Sequence, residues 1–410
     1  MSQTALAIPP DIISPIEPAA KNRVQSIDVL RGIVMIIMAL DHVRDFFHVG
    51  AFQGPDPLDA ATTNPALYFT RWITHLCAPT FVFLAGTSSY LVGLRRSKSD
   101  LSGFLIKRGI WLILMEVFIV NLGLTFNPLY NLTVFQVIWA IGISMVILGL
   151  LVRLPFKVIL AIGLIIVLGH NALDYPEIAQ KYQLNFWWDL IHGARFDIYP
   201  YAPNHVLLII YPFLPWTGLM IMGYCAGKLF AADFPALQRR KILLYTGVGL
   251  ILFFFLIRFI NAYGDPAPWS TQANTVRTMY SFFNVTKYPP SLMYMSITIG
   301  ISLLVLVFIE NVRNKVTEFA KVFGRVPFFY YVLHFYLIHI LTVIAFFLSG
   351  YGTKDIVDQQ VPFLFRPATF GFPLWVVYLV WISVILILYP LCKRYNKYKS
   401  THHQWWLSYV

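Results

Sequence analysis

Long apolar runs alternate with short polar breaks along almost the whole chain. Runs of about twenty residues occur near 26–47, 68–94, 104–126, 132–152, 156–173, 205–229, 241–262, 288–309, 326–349 and 373–392. Each is long enough for a helix that crosses hydrocarbon, where backbone polar groups must be satisfied within the segment. The pattern predicts an all-α fold: a polytopic transmembrane helix bundle of about ten spans. Composition points the same way, because 58% of the 410 residues are apolar and only 12% charged, about half the charge of a soluble chain. An ordinary soluble protein is excluded, and the lipid bilayer is the first expected partner.

The net charge of +12 raises the question of nucleic acid, and the positions of the basic residues answer it. Short basic segments follow every second run: Arg95, Arg96, Lys98, Lys107 and Arg108; Arg153 and Lys157; Lys228 and Arg239 to Lys241; Arg313, Lys315, Lys321 and Arg325; Lys393, Arg394, Lys397 and Lys399. With Lys21 and Arg23 they mark one side of the membrane, so the positive-inside rule makes both termini cytoplasmic. The charge is a topology signal, anionic lipid is a sufficient partner for it, and no nucleic acid is expected. Residues 1–25 are Pro-rich and predict a disordered cytoplasmic tail, 26–392 the membrane domain, and 393–410 a cytoplasmic C-terminal tail. The external segments 174–204 and 263–287 exceed what a turn needs and suggest lids or binding surfaces. Cys77, Cys225 and Cys392 are too scattered for a disulfide framework or a zinc finger.

Ionisable residues inside spans are costly and tend to line cavities. They gather at the outer leaflet: Asp41, His42, Arg44, Asp45 and His48 in the first span, Arg71 and His75 in the second, then His170, His205 and Arg258. In the first span, SIDVLRGIVMIIMALDHVRDFFH, Arg31 and His42 are eleven residues apart. That is close to three helical turns, about 16 Å along one face. Asp28 can neutralise Arg31 from one turn before, and Asp45, one turn after His42, is placed to orient the ring or stabilise its protonated form. A purely structural reading pairs Asp28 with Arg31 and Asp41 with Arg44. Gly32 permits close helix approach beside the stripe. No spacing demands a zinc site from His42, His48 and His75, and no metal is expected. Glu116, deep in the third span, must be protonated or paired. His334 in the ninth span can reach the bundle centre, although a hydrogen bond to a neighbouring helix is the commoner fate of such a residue.

Ser26-Ile27-Asp28-Val29-Leu30-Arg31-Gly32-Ile33, followed by an apolar stretch and Asp41-His42, resembles the opening of the heparan-alpha-glucosaminide N-acetyltransferase-like membrane proteins. It also resembles the related acyltransferase-3 type, in which a histidine eleven residues after the arginine is taken as catalytic. Pro79 to Ser88, Lys287 to Leu292 and Gly324 to His334 are similar to later blocks of the bacterial members. The resemblance implies a multi-pass enzyme, expected in a bacterial inner membrane, that takes acetyl-CoA as donor and a glycan or amino sugar as acceptor. Acyl-CoA and that acceptor are therefore expected partners, and a homo-oligomer is left open. It implies His42 as catalytic, with Asp45 or Asp41 stabilising the imidazolium. In the lysosomal members an asparagine matches His42 and a histidine in the following loop acts, so His48 stands as the second candidate. CoA phosphates would favour the basic inner edge, with Arg31, Arg95 and Arg96 as candidate partners. Arg71, His75 and Tyr288 are candidates for holding the acceptor. A secondary transporter using the same Asp, His and Arg cluster is the alternative, though ionisable groups near the midplane would suit it better.

Overall fold

The computed structural model describes residues 24–408, without Gln53, Tyr182, Ala194 and His403; the tail expected over 1–25 falls almost wholly outside them. In chain order the elements are α1 (Gln25–Phe47), α2 (Pro65–Ile73), α3 (Cys77–Gly93), α4 (Lys98–Met115), α5 (Asn121–Thr125), β1 (Leu132–Phe135), α6 (Val137–Leu151) and α7 (Phe156–Gly169). They continue with α8 (Asp174–Ala179), α9 (Phe186–Trp188), β2 (Asp197–Ala202), β3 (His205–Ile209), α10 (Phe213–Ala226), α11 (Ala236–Ile260) and α12 (Thr275–Phe283). The last four are α13 (Leu292–Ile309), α14 (Lys315–Arg325), α15 (Pro327–Leu348) and α16 (Leu374–Thr401). The protein is a predominantly helical membrane bundle. Six segments are long and apolar enough to cross a membrane by length and composition: Pro65–Gly93, Phe156–Ala179, Ala236–Ile260, Leu292–Ile309, Pro327–Leu348 and Leu374–Thr401. Each of the ten apolar runs contains a helix; the figure of about ten crossings remains an expectation.

Burial separates the helices into two kinds. α7, α11 and α16 expose Ile165, Leu252, Leu256, Phe259, Leu379 and Leu386, side chains that rest in lipid without penalty. α1 and α13 are enclosed by protein. α1 packs against α3, α13, α14, α15 and α16, which is why it buries Asp28, Asp41 and Arg44 along with its apolar residues. Its crossing with α14 is set by two glycines: a Cβ on Gly32 would lie 1.8 Å from the Ala320 carbonyl oxygen, and one on Gly324 would lie 1.8 Å from that of Asp28. Only hydrogen fits at either position.

Two stretches expected within spans are strands. β1 pairs in parallel with β3, Leu132 opposite Val206 through Phe135 opposite Ile209, and β2 pairs antiparallel on the other edge of β3. Apolar runs this short carry no decisive period, and the pairing of Leu132 with Val206, far along the chain, is invisible to a linear scan. The segment expected as a C-terminal tail continues α16 as helix to Thr401.

Candidate active site

Asp41 and His42 sit in the penultimate turns of α1, where the helix emerges into an outer cavity of about 330 Å³. Its lining also includes Arg44, Asp45, Arg71, Lys287, Tyr288 and, from the strand region, Phe196, Leu208 and Tyr211. Asp41 anchors the charges. Its carboxylate accepts from Arg71 at 2.6 Å and Arg44 at 3.2 Å, with Lys287 Nζ at 3.7 Å. Three cations around one buried carboxylate offset its desolvation and leave positive charge facing the cavity. Asp45 accepts from Arg44 at 2.6 Å. The Asp41–Arg44 and Asp28–Arg31 pairs of the structural reading therefore form, within a wider network.

The ring of His42 is met by another histidine. His42 Nδ1 lies 2.6 Å from His334 Nε2, and His334 Nδ1 donates to the Tyr331 carbonyl. A carbonyl only accepts, so His334 carries its proton on Nδ1 and presents a lone pair at Nε2. His42 then donates from Nδ1, which leaves its own Nε2 as the basic nitrogen. Phe335 stacks on the His42 ring at 4.4 Å between centroids, fixing its plane. Asp45, expected to orient this ring, is engaged by Arg44 instead.

A second cavity, of about 280 Å³, lies toward the N-terminal end of α1, the side expected to be inner. Arg31, Arg108, Arg325 and Lys399 stand among its lining residues with an apolar remainder that includes Phe81, Phe104, Leu112 and Met145. Arg31 is held by Asp28 at 3.2 Å, Ser88 Oγ at 2.8 Å and the Gly324 carbonyl at 3.1 Å; Arg325 Nε lies 3.6 Å from the same aspartate. Tyr331 lines this inner cavity, and its ring meets His42 edge-on at 6.5 Å between centroids. His42 and Tyr331 thus stand between two chambers, with His334 buried beside them.

A family profile described as heparan-alpha-glucosaminide N-acetyltransferase, catalytic, matches residues 23–257. The chain belongs to that family. No curated protein shows a significant match to it. The matched stretch of this membrane acetyltransferase family holds Arg31, Asp41, His42, Arg71 and Arg108, whereas Lys287, Arg325 and Tyr331, which also line the cavities, and His334 lie beyond its end.

The remaining candidates separate by position. Arg71 and Tyr288 line the outer cavity. His75 is buried behind it, its ring edge-on to Tyr294 at 5.2 Å. His48 caps the end of α1, accepts at Nδ1 from Gly50 N at 3.2 Å and is not among the cavity's lining residues. Its carbonyl is held by Arg366, whose guanidinium lies over Phe52 and Phe370 and is pulled down to about 10 by burial. Arg95 and Arg96 are exposed on the turn after α3; Arg96 stacks on Phe104 at 4.4 Å, at the edge of the inner cavity. Glu116 caps α6, where it accepts from Trp139 N at 3.2 Å. Linear reasoning did not single out Tyr331 and did not bring His334 to His42, although both stand in the block GRVPFFYYVLH. It counted Arg325 and Lys399 only as topology charges.

Proposed function

We propose that the protein transfers an acetyl group from cytosolic acetyl-CoA, seated in the inner cavity, to an amine or hydroxyl of a glycan or amino sugar in the outer cavity. The observation that carries this reading is the position of His42: its ring lines the outer chamber and touches the tyrosine that lines the inner one. An apolar slot with basic side chains at its mouth suits a pantetheine arm followed by phosphates. Arg31, Arg108, Arg325 and Lys399 are the groups we assign to those phosphates, with Arg95 and Arg96 further out.

His42 Nε2 takes the proton of the acceptor as its nitrogen or oxygen attacks the thioester carbon. The C–S bond then breaks, and the proton returns from His42 to the departing CoA thiolate. His334 stabilises the imidazolium between these steps by accepting from Nδ1, a task performed by a carboxylate in serine hydrolases. The tetrahedral oxyanion needs a donor, and we assign Tyr331 Oη, a buried hydroxyl with no hydrogen-bond partner among the described residues. Arg71, Lys287 and Tyr288 hold the acceptor, and Asp41 holds Arg71 and Lys287 in place. Bacterial inner-membrane residence belongs to the same reading.

The test is reconstitution in vesicles with radiolabelled acetyl-CoA supplied on the inner-cavity side and an amino sugar on the other. Release of CoA with label on the acceptor, abolished by His42→Ala, is the expected result. Movement of an amino sugar or proton across the vesicle without CoA release would put the transporter reading in its place.

A further inference from the structure

Away from both cavities, at the outer end of α7, the chain buries a cluster that the proposed reaction does not use. Asp174 and Glu177 lie on α8, and His192 follows α9 fifteen residues later. Each offers one ligand atom, all within 4.8 Å of one another, and all three residues are buried. We propose that Asp174, Glu177 and His192 bind a divalent transition-metal ion, zinc by their donor set.

Three observations beyond the clustering support this. The first is charge: among the described residues no Lys or Arg pairs with either carboxylate, and the group opposite Glu177 is His192 itself, at 2.6 Å, which leaves Asp174 without a cation. Two ionised carboxylates with a neutral imidazole require a double positive charge to be buried at acceptable cost, and one divalent ion supplies it. The second is unused bonding capacity. Asp174 Oδ1 and Glu177 Oε2 are buried with no hydrogen-bond partner among the described residues, in residues that are 5% and 0% exposed.

The third is the support already standing behind each ligand. Asn171 Nδ2 holds Asp174 Oδ2 at 2.7 Å, Trp188 Nε1 holds Glu177 Oε1 at 2.8 Å, and His170 Nδ1 meets His192 Nε2 at 3.1 Å. A ligating imidazole characteristically has such a partner on its other nitrogen. His192 Nδ1 now shares a proton with Glu177 Oε1 at 2.6 Å; the ion would take that proton's place, and His192 would keep its proton on Nε2 and donate it to His170. Gly193 leaves the room: a Cβ there would come within 3.1 Å of both Glu177 Oε1 and Asp189 Oδ1. A mixed carboxylate and imidazole set of three suits zinc or manganese and does not suit calcium, which takes oxygen alone.

The ion's work is structural. It ties α8 to the segment that delivers Phe196 to the outer cavity and Tyr199 to Asp189, so it sets one wall of the acceptor chamber without touching the reaction.

The experiment is metal analysis of the full-length protein in detergent, after dialysis against zinc and removal of loose ions. About one ion per chain is expected, falling at least tenfold in a Glu177→Gln/His192→Gln double variant that still elutes as folded protein. Chelation should lower the melting temperature of the native chain and leave that of the variant unmoved. Should the variant not fold, cobalt substitution of the native chain decides alone, because three nitrogen and oxygen ligands give bound Co²⁺ a visible absorption band that chelator removes. A native chain that holds neither zinc, manganese nor cobalt after this treatment overturns the proposal, as does undiminished metal in the variant. Both readouts are independent of acetyl transfer, so failure here leaves the reading of the two cavities standing, and the converse holds.

Discussion

The two chambers carry the same sign of charge by opposite means. The inner one sets Arg31, Arg108, Arg325 and Lys399 around an apolar slot, with no carboxylate among its lining residues. The outer one interleaves Arg44, Arg71 and Lys287 with Asp41 and Asp45. A slot walled by apolar groups and tipped with cations selects a long ligand with a concentrated negative end. Alternating charges present donors and acceptors side by side, as a ligand rich in hydroxyls requires. On the proposed reading the difference sorts donor and acceptor by the chemistry of separate walls, and places the transfer at the wall they share.

The shared wall should be the most sensitive place. His42→Ala is expected to lower turnover about a thousandfold while leaving CoA affinity unchanged, measured by calorimetry. Loss of CoA binding in that variant would mean the chambers are one. Tyr331→Phe should cost about a hundredfold in kcat, with the Michaelis constants of donor and acceptor both nearly constant.

Smaller effects test each chamber by itself. Arg31→Ala should raise the Michaelis constant for acetyl-CoA by about ten- to a hundredfold and leave that for the acceptor alone. Arg71→Lys, which keeps the charge and loses the fork that grips Asp41, should do the reverse by about tenfold. A crossed effect in either variant would break the division. His48→Ala should change kcat by about twofold or less, because that side chain serves a loop and not a cavity; a large loss would return the reaction to the histidine after the span.

Much of the outer site was legible before any coordinates. Residues of one type cluster that stand within a helical turn are visible to periodicity, so Asp41, His42, Arg44 and Asp45 came as a group, and the match of Arg31 to the inner end followed from eleven residues of helix. Arg31 does line one cavity and His42 the other. What periodicity proposed for the partner of His42 was Asp45, the nearest acid on the same helix; Arg44 takes that carboxylate because it is closer and permanently charged. The partner that does reach the ring comes from α15, 292 residues away.

The sequence by itself determined the membrane, the helices, the ends of the spans at which basic charge accumulates, and the cluster of ionisable residues on the first span. These follow from local free energies: apolar side chains partition into lipid, and a backbone in lipid must close its own hydrogen bonds. Only the tertiary structure decided that α1 is enclosed by other helices, that His334 and Tyr331 join His42, and that two chambers meet there. Those outcomes depend on which helices pack together, and that is set by contacts between distant segments, such as Gly32 against Gly324, whose complementarity no window along the chain can contain.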